Sequence, residues 1–289
     1  MVETKFDYNG EISWCPGCGD FKILEALKLA LTELGLEPNE VVVASGIGQA
    51  AKMPHYLRCH CVNGLHGRAL PMATGIKASN PNLTVVAVGG DGDMYGEGGN
   101  HFLHAIRRNP NITNIVCNNM IYGLTKGQGS PTTPLGTHTS TQPDGVVNRP
   151  LNPLLLALSC GATFVARASA ADVERTKEVF KQAILHKGYA LVDVFQPCVS
   201  FNKTHSWQWL ATAAKWIDGA HDKTDLSAAM LRAIESEPFP LGIIYQAEPE
   251  KLGKPAKTFE EAQAPYRSGD MTPLFARSPR YEVIEGLIA

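Results

Sequence analysis

Thr84-Val85-Val86-Ala87-Val88-Gly89-Gly90-Asp91-Gly92-Asp93 and, after a helix-sized interval, Asn114-Ile115-Val116-Cys117-Asn118-Asn119-Met120-Ile121 decide how this chain folds. Each stretch opens on a short run rich in β-branched and small residues, the pattern of a strand buried on both faces of a parallel sheet. Each closes on residues that break such a strand: glycines and aspartates in the first, two asparagines in the second. The residues between, near 99–108, read as the crossover helix that parallel neighbours require.

The alternation extends in both directions. Upstream, Leu24, Leu27, Leu31 and Leu34 recur at helical spacing, and Gly35 suits the C-terminal cap. Val41-Val42-Val43-Ala44-Ser45 is another buried-strand run, broken by Gly46-Ile47-Gly48, and a small-residue helix is expected over 65–79. Downstream, strands near 163–166 and 190–195 alternate with helices near 152–159 and 171–186. The Gly-, Thr-, Ser- and Pro-rich loop over 122–149 is long enough to suggest function. The expectation is an α/β fold with a doubly wound parallel sheet. A boundary is placed at residue 199, separating a cofactor-binding domain (1–199) from a C-terminal extension (200–289). That extension carries Trp207, Trp209 and Trp216, a helix near 225–236 and a short strand near 241–245. Its Pro-, Lys- and Glu-rich end beyond Glu248 is expected to be an arm that wraps a partner, with a partly disordered tail as the alternative.

The chain has 289 residues, 44% hydrophobic and 19% charged, so a large core is possible. A net charge of −2 gives no basis for nucleic-acid or membrane-surface binding. No run is long and apolar enough to span a bilayer, and the polar N-terminus does not resemble a signal peptide, so a cytoplasmic protein is expected. Seven cysteines, odd in number and unevenly placed, suit metal binding or burial in such a setting better than disulfides.

Asp91 and Asn119 stand at the ends of two neighbouring parallel strands. A carboxylate and an amide so placed, with the Ile121 carbonyl as a third oxygen, can hold Mg²⁺, and Mg²⁺ can neutralise a diphosphate. Gly90, Gly92 and the glycines after them let phosphate approach the backbone, with Asp93 in the same turn, and the next helix start offers N–H groups. Gly-Asp-Gly alone is a common turn; the second strand end makes it specific. This is not a Rossmann fingerprint, because no Gly-x-Gly-x-x-Gly opens the first helix.

Cys15-Pro16-Gly17-Cys18 is a hairpin whose thiolates can share one metal centre, be it zinc, an iron–sulfur cluster or a redox pair. Cys117, inside a strand, and Cys160, just past a helix, read as buried small hydrophobes. His101 and His104 read as helix positions.

Gly90-Asp91-Gly92 through Asn118-Asn119 resembles the diphosphate motif of thiamine diphosphate enzymes. With Ile121-Tyr122-Gly123-Leu124-Thr125-Lys126-Gly127-Gln128 and Gly64-Leu65-His66-Gly67-Arg68-Ala69, the chain resembles the beta subunit of 2-oxoacid:ferredoxin oxidoreductases, particularly the 2-oxoglutarate type. The resemblance covers Trp14 to about Tyr245. It implies thiamine diphosphate and Mg²⁺ at Asp91, Asn119 and Ile121, with Gly90, Gly92, Asp93, Gly123, Leu124, Ile47 and Gly48 around the cofactor. It brings Lys126, His66 and Arg68 forward as candidate catalytic residues, with Thr125 and Gln128 behind them. It also implies a four-iron four-sulfur cluster on Cys15, Cys18 and Cys198. A third cysteine is usual in a Gly-Ile-Gly-Cys turn, but here the turn reads Gly46-Ile47-Gly48-Gln49. Cys59 is taken as the substitute, with Cys61 as its alternative, and Lys52 is expected near the cluster.

The implied reaction is oxidative decarboxylation of a 2-oxoacid to acyl-CoA and carbon dioxide, with coenzyme A as acyl acceptor and ferredoxin as electron acceptor; in reverse it fixes carbon dioxide. The acid that activates the aminopyrimidine ring would come from a partner alpha subunit, in an α2β2-like assembly. 2-Oxoglutarate is the expected substrate, ahead of pyruvate and branched-chain acids. The alternatives are a non-redox thiamine-dependent decarboxylase with structural zinc and a non-catalytic scaffold subunit.

Overall fold

The computed structural model describes residues 3–219 and 221–248. Among these, eight strands form one sheet: β1 (Val41–Ser45), β2 (His60–Asn63), β3 (Thr84–Gly90), β4 (Thr113–Asn118), β5 (Phe164–Ser169), β6 (Ala190–Phe195), β7 (Ala214–Trp216) and β8 (Phe239–Gln246). Their spatial order is β2-β1-β3-β4-β6-β5-β8-β7. Every neighbouring pair is parallel except β5 with β8. β1, β4, β5 and β6 are buried at every residue, as near-continuous apolar runs in a covered parallel sheet demand.

Helices cover both faces. α1 (Asp20–Glu33) and α5 (Val173–Leu185) pack together over one face, above Val43, Val88, Ile115 and Cys117. α2 (Ala69–Ser79), α3 (Gly99–Arg108), α4 (Pro153–Ser159) and α7 (Leu226–Ile234) cover the other, with Phe102 and Tyr189 among its largest buried side chains. The starts of α4, α5 and α7 are fixed by Asn152, Asp172 and Asp225, each side chain accepting a backbone N–H of the first turn.

The expected strands and helices are present, with ends shifted by a few residues. Five elements were not anticipated: β2, the 3₁₀ segments Pro38–Glu40 and Ala50–Tyr56, α6 (Trp207–Ala213) and β7. A π-helical turn, Gly92–Glu97, stands between Asp91 and α3, where the sequence suggested a plain glycine-rich turn. The described part of the C-terminal extension is built into the sheet: β8 runs antiparallel beside β5, β7 completes the edge, and α7 packs on α4. The arm expected beyond Glu248 lies outside the described residues.

Candidate functional site

The chain runs from β1 outward to β2, then crosses to β3 on the other side of β1. The loops after β1 and β3 therefore leave in opposite directions and open a crevice at the carboxyl ends of the strands. Four loops meet there: 46–49 after β1, 64–68 after β2, 91–98 after β3 and 119–128 after β4.

Asp91 begins the π-helical turn and is 1% exposed. Its Oδ2 accepts hydrogen bonds from Ser130 Oγ (2.5 Å) and Thr132 Oγ1 (2.6 Å). Thr132 Oγ1 also lies 3.0 Å from Asn118 Oδ1, and Asn118 Nδ2 donates to Asp193 Oδ1 at 3.1 Å. Asp193 is fully buried and receives two further bonds, from Tyr95 Oη (3.0 Å) and Arg167 Nε (3.1 Å). One network thus ties the end of β3 to β4, β5 and β6. Burial pushes the Asp91 carboxyl up to about 6, against the pull of the two hydroxyls. Asp91 forms no ion pair among the described residues. Asn119 begins the next turn, its Oδ1 accepting the Ile121 N–H at 3.0 Å and its carbonyl accepting Asn202 Nδ2 at 2.9 Å. A buried carboxylate with no cationic partner, beside an amide and a backbone carbonyl on the adjacent strand, is a hard oxygen donor set that fits Mg²⁺.

Asp93 does something else. Its Oδ1 accepts the backbone N–H groups of Ile47 (3.1 Å) and Gly67 (2.7 Å), so one carboxylate clasps the β1 and β2 loops to the β3 turn. A Cβ at Gly46 or Gly89 would fall 2.2 or 2.4 Å from its Oδ2, which explains both glycines. Asp93 Oδ1 is thus engaged by the protein, whereas its Oδ2 is buried without a hydrogen-bond partner. His66 Nδ1 lies 2.9 Å from Asp93 Oδ1 and 3.6 Å from Glu97 Oε2, and its ring meets Tyr122 edge to face. Tyr122 Oη donates to Glu97 Oε2 at 3.1 Å. Arg68 is exposed and paired with His101 on α3. Ile47, Gly48, Gly123 and Leu124 all lie in the crevice loops. Lys126, at φ 79°, sits at the exposed tip of the 119–128 loop, with no ion pair among the described residues. That loop closes on itself through Tyr122 N to Gln128 O (2.9 Å) and Gly127 N to Tyr122 O (2.9 Å).

The cysteines divide into two places. The Cys15–Cys18 hairpin closes with Cys18 N to Cys15 O at 3.0 Å and packs on the loop after β6. There Ser200 Oγ lies 3.3 Å from Cys15 Sγ, and Trp207 Nε1 donates to Gly17 O at 3.0 Å. Cys198 sits in this loop, its Sγ 3.4 Å from where a Cβ on Gly123 would stand. Asp20, fully buried, accepts from Cys18 Sγ at 3.4 Å, and burial lifts it to about 6. Cys15, Cys18 and Cys198 thus gather beside the 119–128 loop. Cys59 and Cys61 do not join them. Parallel register sets Cys61 beside Val43, and Cys59 precedes β2, toward the opposite end of the strands. Closeness in sequence to Gln49 does not fix their distance from it, because a strand carries its residues along the sheet. Among the described residues no three His, Cys, Asp or Glu converge to hold a single ion. Cys117 is buried on β4, as expected of a small hydrophobe, and Cys160 packs at the edge of the other core.

Sequence reasoning missed Ser130, Thr132, Asp193, Arg167, Tyr95 and Glu97. The only sequence signal for the hydroxyl pair was Ser130-Pro131-Thr132-Thr133 inside an unexpectedly long loop. On the far side of Thr132 and Asn118 lies a cavity of about 840 Å³, walled by Arg167, Phe195, His205 and Trp209.

Residues 41–194 match the family described as thiamine pyrophosphate enzyme, C-terminal TPP binding domain. Residues 198–267 match the family of C-terminal regions of the pyruvate ferredoxin oxidoreductase beta subunit. The chain is 46% identical to a 2-oxoacid:ferredoxin oxidoreductase subunit beta of Saccharolobus solfataricus, covering 86% of this chain and 85% of the relative. It is 46% identical to 2-oxoglutarate oxidoreductase subunit KorB of Mycobacterium tuberculosis, over 68% of this chain and 53% of that one. Among solved structures it resembles 2-oxoglutarate:ferredoxin oxidoreductase from Magnetococcus marinus with 2-oxoglutarate, coenzyme A and succinyl-CoA bound. There the TM-score is 0.88 at 36% identity, covering 96% of this chain and 97% of that one.

Proposed function

The chain belongs to the beta subunits of 2-oxoacid:ferredoxin oxidoreductases, and on that premise we propose that it serves the coenzyme A-dependent oxidative decarboxylation of 2-oxoglutarate, with ferredoxin as electron acceptor. The observation that carries the reading is the buried, cation-free carboxylate of Asp91 beside Asn119 and Ile121 in a thiamine-binding fold.

In this reading Asp91, Asn119 and the Ile121 carbonyl hold Mg²⁺, and through it the diphosphate of thiamine diphosphate. When bound, the cofactor supplies stabilisation of a carbanion at the substrate's carbonyl carbon. Ser130 and Thr132 fix one oxygen of Asp91, leaving the other for the metal. Asp93 holds the β1 and β2 loops against the β3 turn, and Tyr122 with Glu97 braces the rim. Lys126, exposed beside the 119–128 turn, is the cation we assign to a substrate carboxylate or the diphosphate. His66 is held by Asp93 and Arg68 by His101, so both enter as rim residues whose contact with substrate depends on the partner subunit. The choice of 2-oxoglutarate is supported by the names of the relatives in Mycobacterium tuberculosis and Magnetococcus marinus. A partner alpha subunit, completing the pyrimidine side of the site, is part of the proposal.

The test is anaerobic viologen-dye reduction by the complex with a panel of 2-oxoacids and coenzyme A. The expected result is fastest reduction with 2-oxoglutarate, dependent on thiamine diphosphate and Mg²⁺. Faster turnover of pyruvate or a branched-chain acid would move the substrate, and aldehyde release without dye reduction would refute the redox reading.

A further inference from the structure

We propose that the cavity behind Thr132 and Asn118 is a second small-molecule site, and that it takes an uncharged aromatic compound carrying a carbonyl acceptor and an N–H or O–H donor.

The cavity measures about 840 Å³, inside the roughly 300–1,000 Å³ of small-molecule sites. Its walls come from the loop that carries Thr132, the ends of β4 and β6, the outer half of β5, α6 and the 233–239 segment. Asp91, Asn119 and Ile121 are not among them, so this is not the space assigned to the metal and the diphosphate. Phe195, Trp209 and Phe239 form one continuous aromatic wall, with ring centroids 5.2 to 6.2 Å apart. Such a wall favours a flat ring laid against it.

Two buried polar side chains on the wall are incompletely bonded. Arg167, 4% exposed, donates through Nε to Asp193, and its Nη1 has no acceptor. Its guanidinium carbon stands 4.6 Å from the centre of the Phe195 ring and 5.4 Å from that of Phe239. His205, 7% exposed, is the other. Its Nδ1 lies 3.1 Å from Asn202 Oδ1, which also accepts the His205 backbone N–H at 3.0 Å, while Asn202 Nδ2 donates to the Asn119 carbonyl. These bonds orient the amide and place the imidazole proton on Nδ1. Burial pulls the His205 ring below its ordinary pKa, which keeps it neutral. Nε2 is then an acceptor, and it has no partner among the described residues. One wall group lacks an acceptor and another lacks a donor, each costly to leave unmet.

Charge selects the class of ligand. Arg167 is already balanced by the fully buried Asp193. The mouth carries Glu235, paired with Arg232 at 2.9 Å, and Glu237, both exposed. A carboxylate ligand would pass two acidic side chains and bring a second anion to one buried cation. A carbonyl oxygen satisfies the guanidinium without burying that extra charge.

The test uses the full-length chain with its partner subunit, titrated with benzamide, acetophenone and benzoate and followed by the ligands' own NMR signals. Benzamide should bind best. Acetophenone lacks the donor and should bind about fivefold more weakly. His205→Phe should remove that difference. Benzoate should bind about tenfold more weakly than benzamide. Arg167→Lys keeps a cation for Asp193 but loses the planar fork, and should weaken benzamide about tenfold. Thr212 is exposed on α6 and lines the cavity, so Thr212→Trp should block it while leaving the urea midpoint and Mg²⁺ retention unchanged. Unaltered benzamide binding in both Arg167→Lys and Thr212→Trp, or displacement of benzamide by 2-oxoglutarate, would overturn the site. So would a complex that binds none of the three probes, and a preference for benzoate would overturn the uncharged class. None of these outcomes touches dye reduction with 2-oxoacids, so the reaction proposed above stands or falls separately.

Discussion

The Asp91 turn and the Cys15–Cys18 hairpin lie on the same edge of one sheet and are held in opposite ways. Asp91 is anchored from below, by hydroxyls and by a buried Asn118–Asp193–Arg167 chain that draws on four strands. The hairpin is held from the side, by tryptophan N–H groups and loop contacts, and around it Asp20 Oδ1, Gln49 Oε1 and Gln196 Oε1 are buried without donors. The oxygen side also leaves Asp93 Oδ2 and Arg167 Nη1 buried without partners, so the two regions differ in where they are anchored and not in how fully their bonds are met. The lesson is that the Asp91 turn is fixed by side chains of the sheet itself, whereas the hairpin is fixed by contacts between loops.

The largest test of that contrast is Asp91→Ala. It should abolish retention of Mg²⁺ and thiamine diphosphate, by more than the roughly 10–100-fold typical of losing a supporting residue, while iron content stays unchanged. Equilibrium dialysis beside iron analysis reads both, and joint loss would break the comparison. Next is Asp193→Ala, which strands the 4%-exposed Arg167 and should cost about 3–5 kcal/mol in urea unfolding. If stability held, the network would not be the foundation claimed for it.

His186 tests acid sensitivity away from both sites. It lies just past α5 with Nε2 2.8 Å from Thr163 Oγ1, and burial lowers it to about 4. A histidine depressed in the folded state favours its neutral form there, so stability is intact above pH 6.5 and falls as pH drops from about 6.5 to 4. The loss is of order 3 kcal/mol when complete. The difference between unmodified protein and His186→Gln in denaturant titrations isolates it from Asp20 and Asp91, whose raised values act in the opposite sense. Mg²⁺ or iron should not alter that difference. Smallest is Thr132→Val, which removes the bonds to Asp91 and Asn118 and should weaken Mg²⁺ binding about 10–100-fold with iron unchanged.

The parts of this molecule that could be read from sequence are those encoded locally. Runs such as Val85-Val86-Ala87-Val88 declare buried strands, and Asp91 and Asn119 could be found because strand ends are where such a sheet binds ligands. β2 could not: His60-Cys61-Val62-Asn63 is exposed throughout and exists because β1 offers it an edge. Ser130 and Thr132 come from a loop about forty residues after Asp91, and nothing local marks them as its partners. Asp193 sits in Leu191-Val192-Asp193-Val194, which reads as ordinary core until Arg167 is seen opposite it. Cys59 and Cys61 make the same point, since register, not sequence distance, decides where along a sheet a residue lies.

Asp93 also constrains motion. Because one buried oxygen receives the amides of both Ile47 and Gly67, a displacement of the Asp93 carboxylate releases both loops at once. Where opening proceeds through that displacement, the two amides should exchange their hydrogens with deuterium at a shared opening free energy.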